Sequence, residues 1–420
     1  MLILTSSVPS QRPEPDRHHD RLLTPSAGWR RNLAALWFAQ LTAIFGFSFA
    51  FPFLPVYLRQ LGVHSPGELA VWTGLTASAS GASLAIMSPI WGALADRYGR
   101  RAMLLRAMIG GAISVGLMGF ARGPVDLLVL RLIQGATAGT VAAATALVAT
   151  GTPRARVGWA LGVLTSAVAV GSALGPLVGG LAASLLGVRA IFWAGGALLA
   201  LATIPVFAVV REVRTGSPEV ARRPALAVLR AAAPGAVTIV ATLLACQTLL
   251  QVSNNGFQPL VVLRLLQHVS TGVEAITGVA FAASGLSSAL AAVLYARPAR
   301  RFGFRTVGTV AALLLAASQL VAGYGPSVLT TVLGTALAGA FYGTLGPVIA
   351  TMIGLHSPSE IQARVFGLAS SATAIGFFVG PLGGGLLAAR LGVPPAIAAC
   401  ALCALLLAPV LAAGAREPAR

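Results

Sequence analysis

An all-α polytopic membrane protein, built from twelve transmembrane helices in two six-helix halves, is the fold class this 420-residue sequence predicts. Three observations carry the prediction. Hydrophobic residues make up 56% of the chain and charged residues only 10%, against about 25% charged in a soluble domain. Apolar runs of about 20 residues, the length that crosses a bilayer, recur along most of the chain. Motifs of the first half also return in the second at a fixed offset of 204 residues.

Residues 1–30 are polar and Pro-rich ("SQRPEPDRHHDRLLTPS") and lack the basic start, apolar centre and cleavage site of a signal peptide. They read as a flexible cytoplasmic tail, with His18 and His19 solvated. The apolar runs and their breakers then place spans at 32–58, 69–92, 102–121, 125–150, 157–184 and 190–210, the first half being 31–210. A charged linker, 211–233, separates these from spans at 234–263, 274–296, 306–324, 328–354, 365–389 and 396–414 in the second half, 234–414, before a short tail at 415–420. The even count puts both termini on one side. Arg59, Arg122, Arg189, Arg264 and Arg390 lie on the other side, Arg131 lies within a span, and the remaining arginines share the side of the termini. The positive-inside rule makes that side the cytoplasm.

The repeat is specific. Pro55 matches Pro259, Gly81 matches Gly285, Gly99 matches Gly303 and Gly139 matches Gly343, while "GPLVGGL" at 175–181 matches "GPLGGGL" at 380–386 at offset 205. A register held over five helix pairs suits a transporter whose site lies between the halves.

Other classes of function are excluded by composition. The net charge of +18 is spread between spans, with no basic patch interleaved with aromatics, so a nucleic-acid partner is not expected. Cys246, Cys400 and Cys403 all fall in apolar runs and read as small buried hydrophobes rather than metal ligands. His64, His268 and His356 lie at span ends, so no nucleophile and base cluster for enzyme chemistry.

"GALADRYGRR", residues 92–101, interrupts two apolar runs with an acid and three arginines. It resembles, at every defined position, the loop signature G-x-L-A-D-R-x-G-R-R of the major facilitator superfamily: Gly92, Asp96, Arg97, Gly99, Arg100 and Arg101. The glycines and proline of the fifth span, Gly171, Gly175, Pro176, Gly179 and Gly180, resemble the motif of its exporter branch, and the similarity extends to the twelve-span drug:proton antiporter family. The resemblance implies the major facilitator fold of two six-helix halves with inverted repeats. It also implies that Asp96 faces the start of the eleventh span, around Ser359 to Arg364, and latches the halves together on the cytoplasmic side in the outward-facing state. The second half has Arg300 where the first has Asp96, and Ala296 for Gly92, so the gate is expected in the first half.

Further residues bear on mechanism. Arg131 is the only basic residue read as lying well inside a span; "RLIQG", with Gln134 and Gly135, resembles the family's fourth-helix motif, and an intramembrane charge is a functional candidate. Gly171, Gly175 and Gly179, like Gly376, Gly380 and Gly384, are four apart and give a helix face that another helix can approach closely. In the seventh span Gln247, Gln251, Asn254 and Gln258 form one polar stripe. The stripe is expected to line a cavity, facing Gln40, Phe47 and Phe53 of the first span, Thr137 and Thr140 of the fourth, and Tyr342 of the tenth. Apolar and aromatic walls with few polar anchors suit drug-like lipophilic substrates. None of the eleven acids lies at mid-membrane, a departure from many relatives. Asp126, Glu68 and Asp96 are the remaining proton candidates, and Asp126 is expected to pair with Arg131.

The resulting expectation is secondary active efflux of drug-like molecules in exchange for protons. The carrier is expected to be a monomer in a bacterial inner membrane, without metal or cofactor. A facilitator or metabolite exporter of the same fold, without proton coupling, is the alternative.

Overall fold

The computed structural model describes residues 28–212, 236–357 and 362–414. The expected tails through 27 and from 415, the linker from 213, and residues 358–361 lie outside the described residues. Every regular element among the described residues is helical. Twelve helices are long and apolar enough to cross a membrane: Trp29–Gln60, Pro66–Ala95, Arg100–Met118, Pro124–Gly151, Val157–Leu186, Val188–Val209, Val237–His268, Val273–Leu294, Phe304–Tyr324, Val328–His356, Val365–Leu391 and Val393–Ala412.

Of the spans that start earlier than the sequence suggests, three do so at or beside a proline, at Pro66, Pro124 and Val393 rather than 69, 125 and 396. A proline in a helix's first turn lacks an N–H that would have no partner there anyway, and its fixed φ already suits the helix. Proline therefore opens these spans instead of preceding them. Inside the first span, Pro52 and Pro55 have the opposite effect. The helix Trp29–Ala50 tightens to a 3₁₀ turn over Phe51–Phe53 before resuming as Leu54–Gln60, because each proline removes an i→i−4 hydrogen bond.

The packing repeats as faithfully as the motifs. The first span packs on the fifth and sixth, the second on the fourth, and the third on the sixth; the seventh packs on the eleventh and twelfth, the eighth on the tenth, and the ninth on the twelfth. Six spans separate equivalents, so equivalent helices run in the same direction; inversion, in this fold, relates the three-helix units within each half.

The halves meet along two seams, second span on eleventh and fifth on eighth. A Cβ at Gly74 would lie 2.7 Å from the Pro381 carbonyl oxygen, and one at its equivalent Gly278 would lie 2.7 Å from that of Pro176. At Gly81 and Gly285 it would come within 2.8 Å of the Phe377 and Ala173 backbones. Only glycine allows helix axes this close. These contacts occupy the half of each span away from "GALADRYGRR". The first span's Phe51–Gln60 segment, at the same end, adds contacts across the halves to the seventh and eighth spans, and at the signature end Gly92, Gly158, Gly162 and Gly367 face open space. The molecule is thus closed at one end and open at the end that carries the signature.

Candidate substrate path and gates

The signature begins where the second span ends. The helix Pro66–Tyr98 stops at Gly99, whose φ of 96° favours glycine, and the third span starts at once with Arg100. The first backbone N–H groups of that helix need acceptors. Glu212, just beyond the sixth span, supplies them: its Oε1 accepts from Arg100 N at 2.7 Å and its Oε2 from Arg101 N at 3.1 Å. The side chain of Arg100 donates to Ala146 O and that of Arg101 to Phe207 O. The signature arginines therefore tie the third span to the fourth and sixth of their own half. Arg97 is exposed beside Tyr98, and Gly92 is exposed. The expected latch between the Asp96 carboxylate and residues 359–364 lies outside the described residues. Sequence reading assigned Glu212 only to the linker. Its role depends on where the sixth span ends in space, and no local pattern signals that.

The fourth span was expected as one helix over 125–150, but it is two, Pro124–Thr137 and Thr140–Gly151, divided at Ala138 and Gly139, where φ is 130° at the glycine. A break within a membrane frees backbone carbonyls that must find donors inside the protein. Trp91 Nε1 donates to Ala136 O at 2.6 Å, and Arg106 Nη2 donates to Ala138 O at 3.1 Å. The Arg106 guanidinium lies 3.6 Å from the centroid of the Trp91 ring. This corrects the reading of Arg131 as the only basic residue deep in a span. Arg106 is six residues past Arg100, about 9 Å into the third span at 1.5 Å per residue. Counting charges by side placed it with the loop arginines. Its depth follows from the helix starting at Arg100 and from a partner on another span.

Arg131 is 6% exposed. Its Nε donates to Thr76 O at 2.8 Å, Nη2 to Ala77 O at 3.2 Å and Nη1 to Gln134 Oε1 at 2.7 Å. The Phe51 ring lies 4.2 Å beneath the guanidinium and is itself stacked on Phe47. Gly135 admits the second span, since a Cβ there would strike Ser80; its equivalent Gly339 meets Ser284 in the same way. Arg131 and Asp126 do not come together as expected. The Asp126 carboxylate accepts instead from the Arg122 backbone N–H at 2.9 Å, capping the start of its own helix, while Arg131 turns away to the second span. Glu68 lies in the first turn of the second span.

The exporter-motif residues divide by partner. Gly171, Gly175 and Gly179 face the first span, whereas Pro176 and Gly180 form the seam against Gly278 and Glu274 of the eighth. The eleventh span repeats the division, with Gly376 and Gly380 on the seventh span and Pro381 and Gly385 on the second.

The polar stripe of the seventh span also divides. Gln247 Nε2 donates to Thr373 Oγ1 of the eleventh span at 3.1 Å. Gln251 is buried and accepts from Asn255 Nδ2 at 3.2 Å and from the Tyr342 hydroxyl at 3.3 Å. Asn254 is half-buried and Gln258 exposed. The expected facing residues are not all cavity walls in this state. Phe47, Thr137 and Tyr342 are half-buried, but Phe53 is fully enclosed in the core and Gln40 and Thr140 are buried. Asn255, outside the expected stripe, belongs to the Gln251–Tyr342 cluster because i and i+4 share a helix face. Cys246 and Cys400 are buried and Cys403 is half-buried.

Two halves of six membrane-spanning helices, joined by two glycine seams and parted at one end, define a membrane carrier. A profile of the Major Facilitator Superfamily matches residues 36–253 and again 243–420, and the chain belongs to that superfamily. It is 33% identical over 367 residues to multidrug resistance protein MdtG of Salmonella arizonae, covering 87% of this chain and 90% of that one; MdtG of Salmonella newport aligns equally well. Its fold is similar to a bacterial homologue of the human lysosomal transporter Spinster in an inward-facing, occupied conformation (TM-score 0.76, 16% identity, 94% of this chain and 100% of that one). It is also similar to the human organic anion transporter MFSD10 (TM-score 0.64, 22% identity, 91% and 99%).

Proposed function

We propose that this protein exports drug-like, lipophilic small molecules across a bacterial inner membrane by alternating access, in exchange for protons. In this reading both termini and "GALADRYGRR" lie in the cytoplasm, by the arginine asymmetry, and the carrier works as a monomer. The observation that carries the reading is the one-sided opening: two repeat-related seams close the end away from the signature, and the spans part at the signature end. In the proposed orientation this is the inward-facing state. A substrate entering there meets Phe47, Asn254 and Tyr342, an apolar and aromatic surface with few amide anchors. The relatives named for multidrug resistance support the substrate class.

One observation favours a second reading, an uncoupled exporter or facilitator. Glu68, Asp126 and Glu274 each sit in the first turn of a span, and Glu212 lies just past the end of one. Among the described side chains, therefore, no carboxylate lies at mid-span. Expression in an efflux-deficient host, with a drug-susceptibility panel read with and without a protonophore, separates the readings. Raised resistance to several lipophilic drugs that the protonophore abolishes is the expected result. Resistance that survives the protonophore establishes the uncoupled carrier, and no change for any compound overturns drug export.

A further inference from the structure

The two halves differ in charge at the signature end, where the second half has Arg300 in place of Asp96. In the first half, the third span's N-terminus is covered by the Glu212 carboxylate. Its repeat equivalent, the ninth span, starts after Gly303 with φ of 87°. At the offset of 205 that the sixth and twelfth spans share, the sequence position equivalent to Glu212 is Glu417, outside the described residues. The segment "ARPARRFGFR" at 296–305 carries four arginines and no acid, and Arg297, Arg300, Arg301 and Arg305 are all exposed.

Beside this cluster a crevice of about 410 Å³ opens between the short helix Ala296–Phe302 and the ninth and tenth spans. Pro298 and Phe302 form its mouth, and Val307, Val310, Leu314 and Phe341 its apolar walls. The crevice extends along the ninth span from Thr306 to Leu314, about 12 Å at 1.5 Å per residue. It opens on the side of the ninth span, which packs chiefly on the tenth and twelfth spans of its own half, and Phe302, Val310 and Leu314 are 56%, 48% and 41% exposed. The Arg301 guanidinium lies 5.1 Å from the Phe302 ring centroid, so one of the arginines is held at the mouth itself. Arg305 adjoins Thr306 of the lining.

We infer that this crevice is a binding site for a phospholipid with an anionic headgroup, one acyl chain lying along the ninth span and the phosphate held by Arg301 and Arg305. Cationic residues at headgroup depth beside an apolar slot between spans complement such a lipid at both ends. A zwitterionic lipid brings a cation that offsets its phosphate, and a soluble anion leaves the slot unused.

The test uses the purified full-length protein and native mass spectrometry, with phosphatidylglycerol and phosphatidylcholine of the same acyl chains. Phosphatidylglycerol is expected to be retained preferentially. Arg301→Gln should weaken its binding about fivefold, the contribution of one arginine beside an anionic surface. Val310→Trp, which fills the slot and leaves every arginine in place, should weaken it as well. Both positions are exposed, so neither substitution requires the core to repack. Glycerol 1-phosphate, a headgroup without chains, should not displace the lipid. Equal retention of the two lipids overturns the site. So does unchanged phosphatidylglycerol binding in both variants, or displacement by glycerol 1-phosphate with Val310→Trp unaffected, which would mark a site for soluble anions only.

Discussion

Glu212 shows how one side chain organises the signature end. Its two oxygens serve two backbone donors at the start of the third span, where the helix dipole also favours a negative charge. Removing such a cap costs about 1 kcal/mol. Glu212→Ala should therefore raise amide exchange at Arg100 and Arg101 about fivefold, with little change at Phe304 and Arg305, which start a helix of the other half. Equal exchange at Arg100 in wild type and variant would remove the capping role. The signature was legible as a motif because its ten residues are contiguous. The acid that completes it was not, because it lies 112 residues further along the chain than Arg100.

The fourth span is the element that departs from a simple hydrophobic rod. Its break gives up helical hydrogen bonds at mid-length, and Trp91 and Arg106 replace them from the second and third spans. Trp91→Phe keeps the ring against the Arg106 guanidinium but leaves the Ala136 carbonyl without its donor. An unsatisfied buried carbonyl costs about 1–3 kcal/mol, so thermal unfolding in detergent should come measurably earlier than for the wild type. A variant that melts with the wild type would mean that the break satisfies its own carbonyls. In the tenth span the matching glycine, Gly343, sits inside a continuous helix, Val328–His356. The repeat thus holds in packing while differing in local backbone. Hydropathy cannot register that difference, since two half-helices and one whole helix have the same apolar content.

For the whole molecule, the seams decide which end is open. Gly278 meets backbone at Pro176 and Gly180, atoms that cannot swing aside as a side chain tip can. Overpacking of this kind costs about 1–3 kcal/mol, enough to change a two-state population about 5- to 150-fold. Gly278→Val should therefore shift the carrier towards the state parted at the end away from the signature. The shift would be read as longer distances between spin labels on the outer ends of the fifth and eighth spans. Gly74→Val, its repeat equivalent on the other seam, should do the same between the second and eleventh. Distance distributions that match the wild type in both variants would show that the seams do not hold that end shut.

By itself the amino-acid sequence determined the span count, the two halves, the repeat and the glycine faces. Each is a local or periodic property: hydropathy over a bilayer's width, a residue type every four positions, a motif at a fixed offset. Gly81 and Gly285, or Pro381 and Pro176, were therefore related before any contact was known. The tertiary structure alone decided what depends on partners distant in sequence. It assigned Arg131 to the carbonyls of Thr76 and Ala77 rather than to Asp126, and it placed Arg106 at a helix break. It also enclosed Phe53 and Gln40 while leaving Asn254 half-exposed. The open end likewise belongs to the tertiary structure. One sequence must fit both states of an alternating carrier, and which seam is closed is a difference of a few kcal/mol between packings of the same helices.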